Sequence, residues 1–416
     1  MFRRDLLLGA GGLTGALLTS LARRSALAQG APAQGAPAAR ARSCIVLWLN
    51  GGPSHLDTFD PKPSSKNAGP FKAIATRTPG LTFSEHLPRL AASTNLMTVF
   101  RGTSKEGNHQ RARYLLHTGY APNPTVIHPA LGGWVSALKA PKDGELPAFV
   151  SLGGPSQSGG FLGVQHGPFV VPRAGLPQNV AYPRNVNDER FDRRREALGA
   201  LDDRFFQELG DPQIPGRREV QAQAVRMMRS PRLSAFSVED EPEALRKDYG
   251  DSDFGRGCLA ARRLVEQGVS LVEVTLDGWD THRDGFNRVK KLSGTLDQGA
   301  SALLRDLEQR KLLASTLVLC LGEFGRTPRI NGDEGRDHYP QAWSGWLAGG
   351  GVRRGILHGA TDSDGAKVSE KAVTVPDLFA TLVTLLGIEH DRSFDTPSGR
   401  PLYVSDGGTP IREWIG

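Results

Sequence analysis

Cysteine is scarce in this chain of 416 residues: there are three, at positions 44, 258 and 320, and none form a C-x-x-C pair. That excludes a cysteine-built metal site. One disulfide among the three stays open, and the sequence does not pair it. Cys44 and Cys320 sit inside apolar runs of strand length and Cys258 on a helical face, so each reads as a small buried hydrophobe. Charge of one sign is also missing. Lys and Arg number 51 against 44 Asp and Glu, a formal +7, of which Arg3, Arg4, Arg23 and Arg24 against Asp5 supply +3 within the first 28 residues. The remaining excess is small and scattered, which argues against a nucleic-acid partner and for a mildly basic solvated surface. No apolar run is long enough for a stable membrane span. The candidate, Leu6 to Leu21, is diluted by Gly and Thr and falls short of the roughly 20 residues required. No cysteine follows it, which argues against lipoprotein processing.

What the N-terminus does have is a targeting pattern. Phe2-Arg3-Arg4-Asp5-Leu6-Leu7-Leu8 has the form of a twin-arginine signal, and Ala26-Leu27-Ala28 offers a small-x-small cleavage site before Gln29. The expectation is a signal peptide over residues 1–28 and a mature protein in the periplasm or secreted, without a stable span after cleavage; an uncleaved anchor is the alternative. Residues 29–42 read as a low-complexity Ala/Pro/Gly linker. Residues 43–416 then form one domain. Its 38% hydrophobic content, with 50 Gly and 28 Pro in the chain, suits a sizeable core with many loops.

Within that domain apolar runs alternate with helical patterns. Cys44–Leu49, Met97–Phe100, Leu271–Leu276, Thr316–Leu321 and Trp343–Leu347 have strand length and composition. Residues 111–119, 258–268, about 294–309 and 375–387 read as helices, most of them stopped by glycine. Strands alternating with helices predict a mostly parallel sheet covered on both faces, an α/β/α sandwich. Residues 185–250 are charged and helical in pattern, and are expected to form a helical insertion over the sheet. A solvated charged face is its simplest role.

Chemistry concentrates where these strands end. Gly278-Trp279-Asp280-Thr281-His282 follows one strand and Gly322-Glu323-Phe324-Gly325-Arg326-Thr327-Pro328 another, with Gly335-Arg336-Asp337-His338 close behind. Asn50-Gly51-Gly52-Pro53-Ser54-His55-Leu56-Asp57 follows the first strand. Ligands of open α/β sheets gather at the carboxyl ends of strands, and Asp, Glu and His are ligands of divalent ions. Asp280, His282, Glu323, Asp337 and His338 are therefore candidate metal ligands, with Asp57 and His55 as further ones. Each has a plain alternative. Glu323 could pair with Arg326, Asp337 and His338 could order a polar loop, and Asp57 and His55 could order the Gly-Gly-Pro turn.

In this order the motifs resemble the secreted bacterial domain-of-unknown-function family 1501, over essentially the whole mature chain. More distantly the chain is similar to the sulfatase-like branch of the alkaline phosphatase superfamily, through Arg113 to Gly119 and the helix from Val375 to Gly387. The resemblance implies an alkaline-phosphatase-like three-layer sandwich and one or two divalent ions (Zn, Mn, Ca or Mg). It also implies a nucleophile at a helix start. Counted from Arg113, that position is His109, where sulfatases carry the cysteine or serine converted to formylglycine, so a formylglycine sulfatase is not expected. Asn50 stands where an aspartate is normal, and Phe324 where a ligand histidine is normal. His109 and Arg111 are the expected catalytic residues, and Asn50, Arg113 and Arg326 the expected substrate contacts. The function implied is an exported metal-dependent hydrolase or transferase of a phosphate or sulfate ester. The alternative is an envelope binding or partner protein that keeps the fold without turnover, acting beside another exported protein.

Overall fold

The computed structural model describes residues 39–175, 177–210 and 214–416. The signal peptide expected over 1–28 and most of the expected linker lie outside the described residues. Among them, no helix is long and apolar enough to cross a membrane. The strands that position the site are β1 (Ser43–Asn50), β2 (Met97–Thr103), β3 (Phe149–Leu152), β4 (Phe169–Val171), β5 (Leu271–Asp277) and β6 (Thr316–Leu321). Further along come β7 (Gly325–Arg326), β8 (His338–Tyr339), β9 (Trp343–Ala348), β10 (Ile356–His358) and β11 (Val373–Thr374). The helices of eight or more residues among the described residues are α1 (His109–Thr118), α2 (Leu131–Leu138), α3 (Asp188–Leu209), α4 (Ile214–Arg229), α5 (Asp253–Glu266), α6 (Gly285–Gln309) and α7 (Val375–Leu385).

The central sheet runs β10-β2-β9-β6-β1-β5-β3-β4, with β11 also paired to β2. β1 lies in the middle, parallel to both β5 and β6. β9 runs antiparallel to β6 and β2, and the other described pairings in this sheet are parallel. The mostly parallel sheet expected from the alternation is therefore present. Its central strands, β1, β5, β6 and β9, are buried on both faces, as such sheets require. Ile45, Leu47 and Leu49 of β1 join a core with α5 and α6, including Leu264, Leu296 and Leu303. Cys44, Val46 and Trp48, on the opposite face, join a core with Leu115 of α1, Trp134 of α2 and Leu378 of α7. Period-two alternation along a strand thus separates two helical layers, which makes an α/β/α sandwich. All three cysteines are buried and free.

One helix differs from its expected extent. α6 begins at Gly285, nine residues before the expected start near residue 294. The intervening Gly-Phe-Asn-Arg-Val-Lys-Lys-Leu-Ser stretch is polar on one side, yet Val289 and Ser293 face inward, so an amphipathic stripe continues through it. Its entry is a sharp one: Asp284 has φ 47°, in the left-handed region. That turn sends the chain back along the sheet directly after His282.

Candidate metal centre

β1, β2, β5 and β6 all end at one edge of the sheet, and the side chains singled out from the sequence follow them. β2 leads through a short loop to α1. The Asn108 side chain accepts the Arg111 N–H at 3.2 Å, capping the helix so that His109 is its first residue. β5 leads to Asp280 and His282. β6 leads to Glu323, and β7 and β8 pair so that Arg326 stands opposite His338. Gly51, with φ 115°, lets the chain turn after β1; a Cβ there would lie 2.3 Å from the Asp280 backbone nitrogen. The close approach fixes the Asp280 loop against the end of β1.

Three imidazoles converge on Asp280. Its Oδ1 lies 3.1 Å from His282 Nε2, 3.3 Å from His338 Nε2 and 3.4 Å from His109 Nε2. His282 Nε2 and His338 Nε2 are 3.0 Å apart. The opposite nitrogen of every ring meets an oxygen. His109 Nδ1 is 2.8 Å from Glu323 Oε1, His282 Nδ1 2.9 Å from Asp337 Oδ1, and His338 Nδ1 2.8 Å from the Gly107 carbonyl. Each of these oxygens calls for an N–H on Nδ1, which in the neutral ring leaves Nε2 as a bare lone pair. The Nε2 of His109 is buried with no hydrogen-bond partner. Bare nitrogens facing one another around a carboxylate oxygen are an arrangement that a cation would complete, and oxygen partners on Nδ1 are how metal-binding histidines are held. His109, Asp280 and His338 bring ligand atoms within 4.8 Å of one another. Imidazole with carboxylate is a donor set suited to zinc or manganese, so the residues present fit the ion implied by the resemblance.

The electrostatics are those of a tight charge cluster. Burial opposes ionisation of Asp280, but the Arg326 guanidinium 2.5 Å away and the neighbouring imidazoles outweigh it and hold its carboxyl well below the usual range. The hydrogen bond to Glu323 raises the pKa of His109, against burial. Burial, with Arg326 and His109 nearby, lowers that of His338. His282, followed by Asn331, lowers that of Asp337. Glu323 is fully buried and also accepts the Gly51 N–H at 3.0 and 3.1 Å. Phe324 walls the cluster, its ring centroid 5.0 Å from that of His109 and 4.7 Å from that of His338.

The remaining candidates are placed elsewhere. Asp57 lies against Arg336, with oxygen–nitrogen distances of 2.7 and 3.1 Å, and His55 Nε2 lies 2.7 Å from the Gly365 carbonyl. Both are buried, and these contacts within the loops around β1 are those expected of the turn-ordering alternative. Glu323 does not pair with Arg326; its partners are His109 and the Gly51 backbone. Asn50 donates to Asp277 at 2.7 Å. Arg111 is exposed and bonded to Glu106 at 2.8 Å, so no contact ties it to the cluster. Arg326 is wholly buried and bonded to protein acceptors, which removes it from substrate contact. Arg113 follows His109 by one helical turn; its Nε is buried without a partner, and its guanidinium makes no ion pair among the described residues. Sequence reasoning missed the supporting groups: the Gly107 carbonyl, the Gly51 N–H and Asn331, which donates to Asp337 at 3.2 Å and to the His282 carbonyl at 3.0 Å. Backbone groups have no residue type to signal them.

Among solved structures, the chain is similar to the lipoteichoic acid synthase LtaP from Listeria monocytogenes, at 11% identity and TM-score 0.41, with 92% of this chain and 80% of that one covered. It is similar to the PsFucS1 sulfatase from Pseudoalteromonas sp. at 12% identity and TM-score 0.37, over 91% of this chain and 72% of that one. The C-terminal periplasmic domain of EcEptC from Escherichia coli, in complex with Zn, is similar at 10% identity and TM-score 0.35, over 86% and 84%. These likenesses are distant. No curated protein sequence matches the chain. The motifs that deliver the cluster fall within residues 41–415, which match the sequence model described as protein of unknown function, DUF1501, and the chain belongs to that family.

Proposed function

We propose that this protein is an exported, metal-dependent hydrolase or transferase acting on a phosphate or sulfate ester. The observation that carries the reading is the set of inward-facing Nε2 atoms with oxygen partners on every Nδ1. His109, Asp280 and His338 are the residues that would hold a divalent ion. Bound there, the ion supplies positive charge for a developing oxyanion and acidifies a nucleophile. Glu323 keeps the His109 ring turned so that Nε2 faces the centre. Asp337 does the same for His282, and the Gly107 carbonyl for His338. Arg113, on the same face of α1 as His109, offers an unpaired guanidinium to an anionic ester oxygen. Export rests on the twin-arginine pattern of residues 1–28.

A second reading, a non-catalytic envelope binding or partner protein, is favoured by one observation. The helix start holds His109, bonded to Glu323, in place of a hydroxyl or thiol. Elemental analysis of the exported protein separates them, followed by turnover of generic phosphate and sulfate esters. The expected result is stoichiometric divalent metal that His338→Ala loses, with ester turnover lost in the same variant by a factor of 100 or more (about 3 kcal/mol of barrier). Metal without turnover of any ester would favour the second reading. Absence of metal from the wild-type protein would remove the first.

A further inference from the structure

Arg326 is the charge in the cluster that the proposed chemistry leaves unused. Its Nε donates to the Gly52 carbonyl at 2.9 Å, and Nη1 to the Arg336 carbonyl at 3.1 Å and to His282 Nε2 at 3.2 Å. Nη2 donates to the Gly51 carbonyl, to the Trp279 carbonyl at 3.3 Å and to Asp280 Oδ1 at 2.5 Å. Every N–H of the guanidinium is engaged, and the side chain is fully buried. A guanidinium does not give up its proton under ordinary conditions and cannot swing out of such a cradle. A fixed positive charge therefore shares Asp280 Oδ1 with whatever occupies the centre.

This arrangement also divides the histidines. His282 has both nitrogens in use: Nδ1 faces Asp337, and Nε2 accepts from Arg326. His109 Nε2 has no hydrogen-bond partner, and among the described residues no N–H donor approaches His338 Nε2, because the His282 Nε2 that faces it at 3.0 Å is itself an acceptor. With Asp280, these two are the residues whose ligand atoms cluster within 4.8 Å. We infer that Arg326 is a built-in second cation that limits this centre to one divalent ion, and that His282 is a positioning residue held between Arg326 and Asp337 rather than a ligand. The inference rests on the metal-dependent reading above and adds the ion count and the ligand set to it. None of the three other candidate carboxylates is free to enlarge the site. Asp57 is committed to Arg336, Glu323 to His109 and the Gly51 N–H, and Asp337 to His282 and Asn331.

The test uses the full mature chain, stripped of metal and titrated with Mn²⁺ while free and bound ion are read by electron paramagnetic resonance. The wild-type protein is expected to bind one equivalent with an uncoupled, mononuclear signal. His282→Gln, whose amide keeps an acceptor for Arg326 and a donor for Asp337, is expected to retain one equivalent with affinity weaker by about 10–100-fold, the usual effect of losing a supporting group. His338→Gln is expected to show no saturable binding. Two equivalents, or an exchange-coupled pair signal, in the wild-type protein would overturn the inference and leave the metal-dependent reading standing. So would loss of binding in His282→Gln as complete as in His338→Gln, with both variants shown to be folded by circular dichroism. No binding by the wild-type protein would remove the metal-dependent reading itself, and this inference with it.

Discussion

At the scale of single residues, two arginine–carboxylate pairs, each with a buried guanidinium, divide the work at the edge of the sheet. Arg326 with Asp280 belongs to the centre, and Arg336 with Asp57 belongs to the loops that surround it. The second pair is almost entirely buried, with side chains 2% and 4% exposed. Arg336 also donates to the carbonyls of Asn67, Thr327 and Pro328. It ties the loop after β1 to the segment that carries His338. Removing one partner of such a pair leaves an uncompensated buried charge, at a cost of about 3–5 kcal/mol. Asp57→Asn is therefore expected to lower the urea midpoint by an amount equivalent to several kcal/mol, while metal stoichiometry in the folded fraction stays as in the wild type. A variant of native stability that had lost the ion would instead make Asp57 a ligand. This residue also shows where reading the sequence stopped. Asp280, His282, Glu323, Asp337 and His338 were legible because each follows a strand or a Gly-rich turn in a recognisable run. The partner of Asp57 was not, because Arg336 lies 279 positions away and nothing local announces a long-range ion pair. The burial of Arg326 was not legible for the same reason, since it depends on carbonyls from four separate positions.

Among the elements, α1 does the most to set the site, because it is tied to the sheet at both ends along one face. His109 at its first position meets Glu323, and His117, two turns on, lies 3.1 Å from Glu273 of β5. Between them Arg113 occupies the intervening position of the same i, i+4 row. The helix ends at Gly119, with φ 77°, where the Cβ of another residue would press on the Phe379 ring. Its N-terminus depends on the Asn108 cap. Asn108→Ala is expected to cost about 1 kcal/mol of stability. Fraying of the first turn should also free His109 from Glu323, so Mn²⁺ affinity falls while the ion count is unchanged. Parallel denaturation and metal titrations would check this, and unaltered affinity would show that Glu323 holds the ring without the cap. The sequence showed most of α1, as a helical run from residue 111 to its glycine stop. It did not show the short β7–β8 ladder, because two-residue strands have no periodicity to read. It also left the direction of β9 undetermined, since an apolar run looks the same whichever way it pairs.

For the molecule as a whole, the two buried faces of the sheet make stability depend on a charged pair well inside the fold. His117 and Glu273 are 9% and 2% exposed, and Ser156 donates to the same carboxylate at 2.8 Å. The Trp48 ring of β1 lies 4.2 Å from the His117 ring, centroid to centroid. Burial alone would drive His117 toward its neutral form. The Glu273 carboxylate, its hydrogen bond and the Arg113 carbonyl outweigh that, so the pKa of His117 lies above its ordinary value. The folded protein thus holds this proton more tightly than the unfolded chain, whose histidines titrate near about 6.5. The contribution of the pair is full below about pH 6.5 and declines as pH rises through the folded pKa, because the unfolded state then binds fewer protons than the native one. Metal-free protein is accordingly expected to lose thermal stability as pH rises above about 6.5 and through the folded pKa, at about 1.4 kcal/mol for each unit by which that pKa is raised. Metal must be absent so that competition between ion and proton at the centre does not enter. His117→Gln keeps a polar side chain beside Glu273 but cannot titrate, so its melting temperature should be lower at acidic pH and fall less steeply over the same range, the remaining slope coming from groups such as His109, whose pKa is also raised. An unchanged slope in that variant would assign the pH dependence to other groups and leave His117 as packing between α1 and β5.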